Sequence, residues 1–172
     1  MTICNVTEII EQKPLTGRLM GLDIGKKTIG IAVSNNTQSI ATPLCTINRT
    51  KFSKDIAKLD KIIQDYEICG YVVGYPVNMD GTIGPSCDMV MSFADEFSKY
   101  PQFVGVNPWI ALWDERLSTQ TVKETVDKFV DKRKTKQTAK DKGVIDKMAA
   151  QIILQGALDY IQDRLRHAES PY

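Results

Sequence analysis

With 172 residues, 42% hydrophobic and 25% charged, the chain suits one domain with a sizeable core and is too apolar to be disordered throughout. A formal net charge of +1 excludes a uniformly basic protein but leaves room for a local basic patch. No apolar run approaches the roughly 18 residues of a membrane span, so no membrane partner is expected. Cys4, Cys45, Cys69 and Cys87 have no paired spacing and read as free thiols of a reducing, cytoplasmic compartment.

Residues 1–17 lack the basic-then-apolar layout of a secretory signal. They read as an extension ahead of a domain at 18–166, with 167–172 as a tail. "RLMGLDI" (18–24) reads as a buried strand. "TIGIAVS" (28–34) alternates Ile29, Ile31 and Val33 with Gly30, Ala32 and Ser34, a strand with one large apolar face and one small face open to close approach. "SIATPLCTI" (39–47) reads as a third strand, with Pro43 arguing for an edge or a bulge. Short connections make these three an antiparallel meander.

Phe52, Ile56, Leu59, Ile63 and Tyr66 are spaced for a helix. "CGYVVGY" (69–75) is a short apolar strand, and "NMDGT" (78–82) has turn chemistry. Gly84-Pro85 opens a second helix with a stripe of Met89, Val90, Phe93 and Phe97. "WIALWD" (109–114) is a strand whose tryptophans read as core rather than as base-stacking groups. A helix is expected from Ser118 to Val130, then a charged loop, then a last helix from Val144 to Leu165. Strand–helix–strand units imply parallel pairing late in the chain, hence a mixed α/β sheet covered by helices.

The single histidine, His167, stands near the C-terminus, so chemistry here rests on carboxylates. Asp23 interrupts an apolar strand, where Asp is disfavoured. Asp114 and Glu115 end the last strand one residue out of phase, and Asp114 reads as the more structural of the two. Asp146 opens the last helix. Each has an ordinary explanation alone. Asp23 could accept hydrogen bonds from the following turn, and Glu115 could pair with Arg116. Asp146 in a first helical turn gains about 0.3–1 kcal/mol from the helix dipole. Together, at the carboxyl ends of strands, they form the kind of cluster that needs a cation. Oxygen-only ligands select Mg²⁺ or Mn²⁺, and two such ions about 4 Å apart support phosphodiester hydrolysis without a histidine.

"GLDIGKKTIGIAVSN", "VVGYPVNMDGTIGP", "DERLST" and "KGVIDKMAAQIILQGALD" together resemble, in order, the YqgF (RuvX-like) family of Holliday-junction-resolvase-like proteins. The resemblance runs from about Arg18 to Tyr160. It implies an RNase H-like mixed five-stranded sheet flanked by helices, and a metal-dependent nuclease maturing the 5′ end of 16S ribosomal RNA. It also implies that the acidic residues are Asp23, Glu115 and Asp146, both as catalytic groups and as metal ligands. Two positions depart from the pattern: Lys26 stands where a small hydroxylic residue is expected, and Tyr75 where a leucine is.

Lys26 and Lys27, on the turn past Asp23, are candidate nucleic-acid contacts, as are Asn78, Arg116 and Lys142, the last closing a basic stretch from Lys123. Three other readings compete. A resolvase of branched DNA would require two sites, hence a homodimer rather than a monomer. The "GLDIGKKTIGIAV" hairpin also resembles the phosphate-binding hairpin of actin-like and sugar-kinase proteins, which use two domains where this chain has room for one. A non-catalytic nucleic-acid-binding module is the last.

Overall fold

Alternation in the central strands sorts side chains onto two faces, and the fold follows from what each face accepts. The computed structural model describes residues 3–117 and 139–169, with side chains in the last helix described over 143–168. The strands are β1 (Cys4–Asn5), β2 (Arg18–Ile24), β3 (Thr28–Ser34), β4 (Ala41–Asn48), β5 (Ile68–Tyr75) and β6 (Trp109–Asp114). The helices are α1 (Val6–Ile9), α2 (Phe52–Asp65), α3 (Pro85–Ser98), α4 (Pro101–Val104) and α5 (Ala139–Glu169), with 3-10 turns at Ile10–Gln12 and Glu115–Leu117. The helix expected from Ser118 to Val130 lies outside the described residues.

One sheet runs in the order β1-β6-β5-β2-β3-β4. The β2–β3–β4 meander is antiparallel, and β5 and β6 add in parallel to β2. Pro43 sits on the edge strand next to a register shift, where its missing N–H costs least. The sheet has six strands rather than the expected five. Cys4 and Asn5 pair in parallel with Ala111 and Leu112, so the segment read as an extension ahead of the domain adds an edge strand. Val6 is buried beside it, and the Trp109 indole donates to the Ile9 carbonyl at 2.7 Å.

Leu22, Ile24, Ile29, Ile31, Val73 and Leu112 point to one face, where α2 and α3 supply Ile56, Leu59, Phe93 and Phe97. The opposite face, where Gly21, Gly30, Ala32, Gly74 and Ala111 leave room, carries α5, whose Ala150, Leu154, Ala157, Leu158 and Ile161 follow helical spacing. Glycines set the approach. A Cβ on Gly21 would lie 2.7 Å from Leu154 Cβ, and one on Gly74 2.5 Å from Ile153 Cδ1.

The last helix starts earlier than expected, at Ala139 rather than Val144. Asp146 therefore does not open it, and the argument from the helix dipole falls. Gly143, read as the end of a loop, lies inside the helix, where its carbonyl accepts a hydrogen bond from the Thr46 hydroxyl on β4. That tertiary tie holds a turn that glycine alone would weaken.

Candidate active site

The carboxyl ends of β2, β4, β5 and β6 and the start of β3 share one edge of the sheet, as the register requires. Asp23 is the penultimate residue of β2 and pairs with Gly30. It alternates with Leu22 and Ile24, so it belongs to the α5 face while they enter the core on the other. Glu115 follows β6. The two acids are not on neighbouring strands: β5 runs between β2 and β6. Gly74 of β5 removes the obstacle, because Glu115 Oε1 lies 3.2 Å from where a Gly74 Cβ would be. Glu115 thus leans across a strand that has no side chain at that point.

The electrostatics agree with this approach. The Glu115 carboxyl is pushed up to about 7, first by desolvation, then by repulsion from Asp23 and from Asp114. Glu115 as a residue is nonetheless exposed. The carboxyl is therefore flanked by protein on a residue that still meets solvent.

Asp146 is held to the same face from α5. It is buried, with 4% exposure, and its Oδ2 accepts a hydrogen bond from Thr28 Oγ1 at 2.7 Å. Its main chain sits on Gly30, the cross-strand partner of Asp23. All three acids thus gather at one end of one face. They do not enclose a common point: among the described residues no three Asp, Glu, His or Cys side chains converge closely enough to hold an ion.

Asp114 takes the structural part expected of it. Arg116 donates to it from Nε at 3.1 Å, from Nη2 at 2.7 Å and from its backbone N–H at 2.9 Å. Arg116 is therefore clamped to Asp114 rather than to Glu115. Its other side faces the loop after β5, with Nη1 3.4 Å from where a Gly81 Cβ would lie. In that loop Asn78 donates to Thr82 Oγ1 at 2.9 Å, and Thr82 donates to Asp80 from both N–H and hydroxyl. Asn78 is thus exposed at the rim but engaged within its own turn.

Lys26 and Lys27 are exposed on the turn after Asp23, which Gly25 closes by donating its N–H to the Thr28 carbonyl at 2.8 Å. The Lys142 side chain lies outside the described residues. The tryptophans are core: Trp113 is 1% exposed and packs on Gly156 and Tyr160.

Sequence reasoning missed Thr28 and Gly74. The small-residue face of β3 signalled close approach by something above it, but not that Thr28 would meet Asp146. The hydroxyl that Lys26 lacks is present two residues later in the same turn. Nothing local marks Gly74, whose role depends on a residue that follows another strand.

A mixed sheet with a β2–β3–β4 meander, two further parallel strands and a helix laid over one face has the architecture of the RNase H-like fold. The RuvX family, described as Holliday junction resolvase, matches residues 17–160. A Rhodospirillum centenum protein named "Putative pre-16S rRNA nuclease" is 46% identical over 170 residues, 99% of this chain and 86% of that one. One of the same name from Paracoccus denitrificans is 42% identical over 161 residues, 93% of this chain and 96% of that one. Among solved structures, Thermus thermophilus RuvC in complex with a Holliday junction substrate superposes with a TM-score of 0.53 at 12% identity, covering 86% of this chain and 96% of that one. That likeness is one of fold. The chain belongs to the RuvX family of nucleases.

Proposed function

We propose that this chain is a divalent-metal-dependent endonuclease whose substrate is the precursor of 16S ribosomal RNA, cut at its 5′ end. The observation that carries the reading is the Glu115–Asp23 approach across Gly74, which sets two carboxylates against each other at a solvent-open edge. Two carboxylates that repel each other fit a hard cation. Oxygen-only donors suit Mg²⁺ or Mn²⁺. Asp23 and Glu115 would hold the ion, with Asp146 joining them when its oxygen leaves Thr28. Bound there, the metal supplies an activated water and charge stabilisation for phosphodiester hydrolysis.

The chain's own residues do the rest. Asp23 is set by strand pairing, so its backbone need not be ordered when substrate arrives, whereas Asp146 waits on the Thr28 hydroxyl. Glu115 sits on a short 3-10 turn and is the adaptable member. The Asp114–Arg116 clamp anchors that turn from behind and leaves Arg116 beside the rim. Lys26 and Lys27 meet the phosphate backbone next to Asp23.

The ribosomal substrate rests on the relatives' shared name, and cutting of branched DNA rests on the family's description. Purified protein with Mg²⁺ or Mn²⁺, offered a 16S precursor spanning the mature 5′ end and a four-way DNA junction, separates the two. Preferential cutting of the RNA is expected. Symmetric nicking of the junction with the RNA intact would replace this reading by the resolvase one. Nucleotide binding with neither substrate cut would favour the phosphate-binding reading.

A further inference from the structure

The cations already named near the site are Lys26 and Lys27. The structure continues them into a larger surface. The segment after β4 folds back on their turn: the Arg49 N–H donates to the Lys27 carbonyl at 2.8 Å, and Arg49 Nη1 donates to the Gly25 carbonyl at 2.8 Å. The same guanidinium lies over the Phe93 ring, 5.7 Å from its centroid, so Arg49 is braced from both sides. Lys51 and Lys54 follow at the entry to α2, both exposed. Lys26, Lys27, Arg49, Lys51 and Lys54 thus border one hydrogen-bonded stretch of backbone that begins two residues past Asp23.

Among the described residues this stretch is unneutralised. The nearby acid, Asp55, is buried, with 2% exposure, and is occupied by Thr50, which donates its N–H at 3.0 Å and its hydroxyl at 2.9 Å. Among the described residues none of the five cations takes part in an ion pair, whereas Lys99 and Arg116 do. In a chain with a net charge of only +1, such a concentration is a local feature. It lies at the same edge of the sheet as Asp23, on the β4 side, opposite Arg116.

We propose that Arg49, Lys51 and Lys54 extend the Lys26–Lys27 turn into one continuous track for a nucleic-acid backbone leading into the site from the β4 edge. The proposal rests on the nuclease reading and specifies where its substrate lies. Exposed lysines on a fixed backbone neutralise phosphates and release counterions, which makes affinity fall with salt in proportion to the contacts made. Arg49, engaged with the Gly25 carbonyl, couples the track to the Asp23 turn.

The test is the salt dependence of binding, without divalent cations so that nothing is cut. Fluorescently labelled single-stranded RNA, the folded 16S precursor and a four-way DNA junction are titrated with the full-length chain. The Lys51→Ala/Lys54→Ala double variant keeps the backbone contacts and removes two exposed charges. Lys99→Ala/Arg166→Ala, which removes two exposed charges away from α2, is the control. The track predicts that the log–log salt slope becomes shallower by about 1.4 on single strands and about 1.8 on duplex arms in the Lys51/Lys54 variant only. A slope equal to wild type, or an equal change in the control, overturns the track and leaves the nuclease reading standing. Wild type that binds none of the three overturns both.

Discussion

The main chain of Asp146 rests directly on Gly30: a Cβ added to that glycine would lie 2.0 Å from the Asp146 carbonyl oxygen. Because Gly30 also pairs with Asp23, one glycine sets the distance between the helix-borne acid and the strand-borne acid. Backbone cannot yield as a flexible side chain can. Gly30→Ala should therefore cost at least about 3 kcal/mol, the upper part of the range for overpacking. It should also abolish cleavage at temperatures where the fold survives. Chemical denaturation and an activity assay on the same preparation check both. A loss below about 0.5 kcal/mol would mean that α5 is free to shift.

Thr28 ties Asp146 to the turn. Thr28→Val keeps the shape and removes the donor, so a buried carboxylate loses one hydrogen bond. A destabilisation of about 1.5–3 kcal/mol is expected, in line with hydrogen bonds to charged groups. Thr28→Ser should restore most of it. Equal stability of the Val and Ser variants would show that the hydroxyl contributes nothing.

Glu115 makes stability depend on pH. Its folded value of about 7 lies above the ordinary 4.5 of a glutamate carboxyl. The native state therefore binds more protons than the unfolded one across that window, and stability falls as pH rises through it. Glu115→Gln removes the penalty. The variant should match wild type below pH 4.5 and exceed it above pH 7. The margin is about 0.5–1 kcal/mol once solvent screening of the open carboxylate is allowed for. Urea denaturation in metal-free buffer at both ends of the window reads this directly. A variant less stable than wild type at high pH would contradict the repulsion.

Tyr71 has a hydroxyl that is buried with no hydrogen-bond partner among the described residues, and burial pushes its pKa up. Its ring meets Phe97 edge-on at 4.9 Å, a contact phenylalanine would keep. Tyr71→Phe should be neutral or stabilising by up to about 1 kcal/mol, because it removes an unpaired polar group. Loss of more than about 1 kcal/mol in thermal or urea unfolding would contradict this.

Period and propensity made much of this fold legible. The bounds of β2, β3 and β6 follow from alternation and from apolar runs, and Pro43 marked the edge strand. Asp23 was conspicuous because a strand is the wrong place for it. What local sequence does not encode is register. β5 lies between the two acids, and only strand order reveals that Gly74 makes room for Glu115. β1 escaped notice because two residues have no period, and their pairing comes from β6. The start of α5 is not legible locally, because Gly143 reads as a stop unless the Thr46 contact is known.

The central claim is that Asp23 and Glu115 hold a catalytic divalent cation, with Asp146 as the third member. Anomalous diffraction from Mn²⁺-soaked crystals of wild type and Asp23→Asn tests it most directly. The account predicts a peak within coordination distance of Asp23 and Glu115 in wild type, lost in the variant together with cleavage. A peak bound away from both carboxylates, or an Asp23→Asn protein that still cuts, would contradict it.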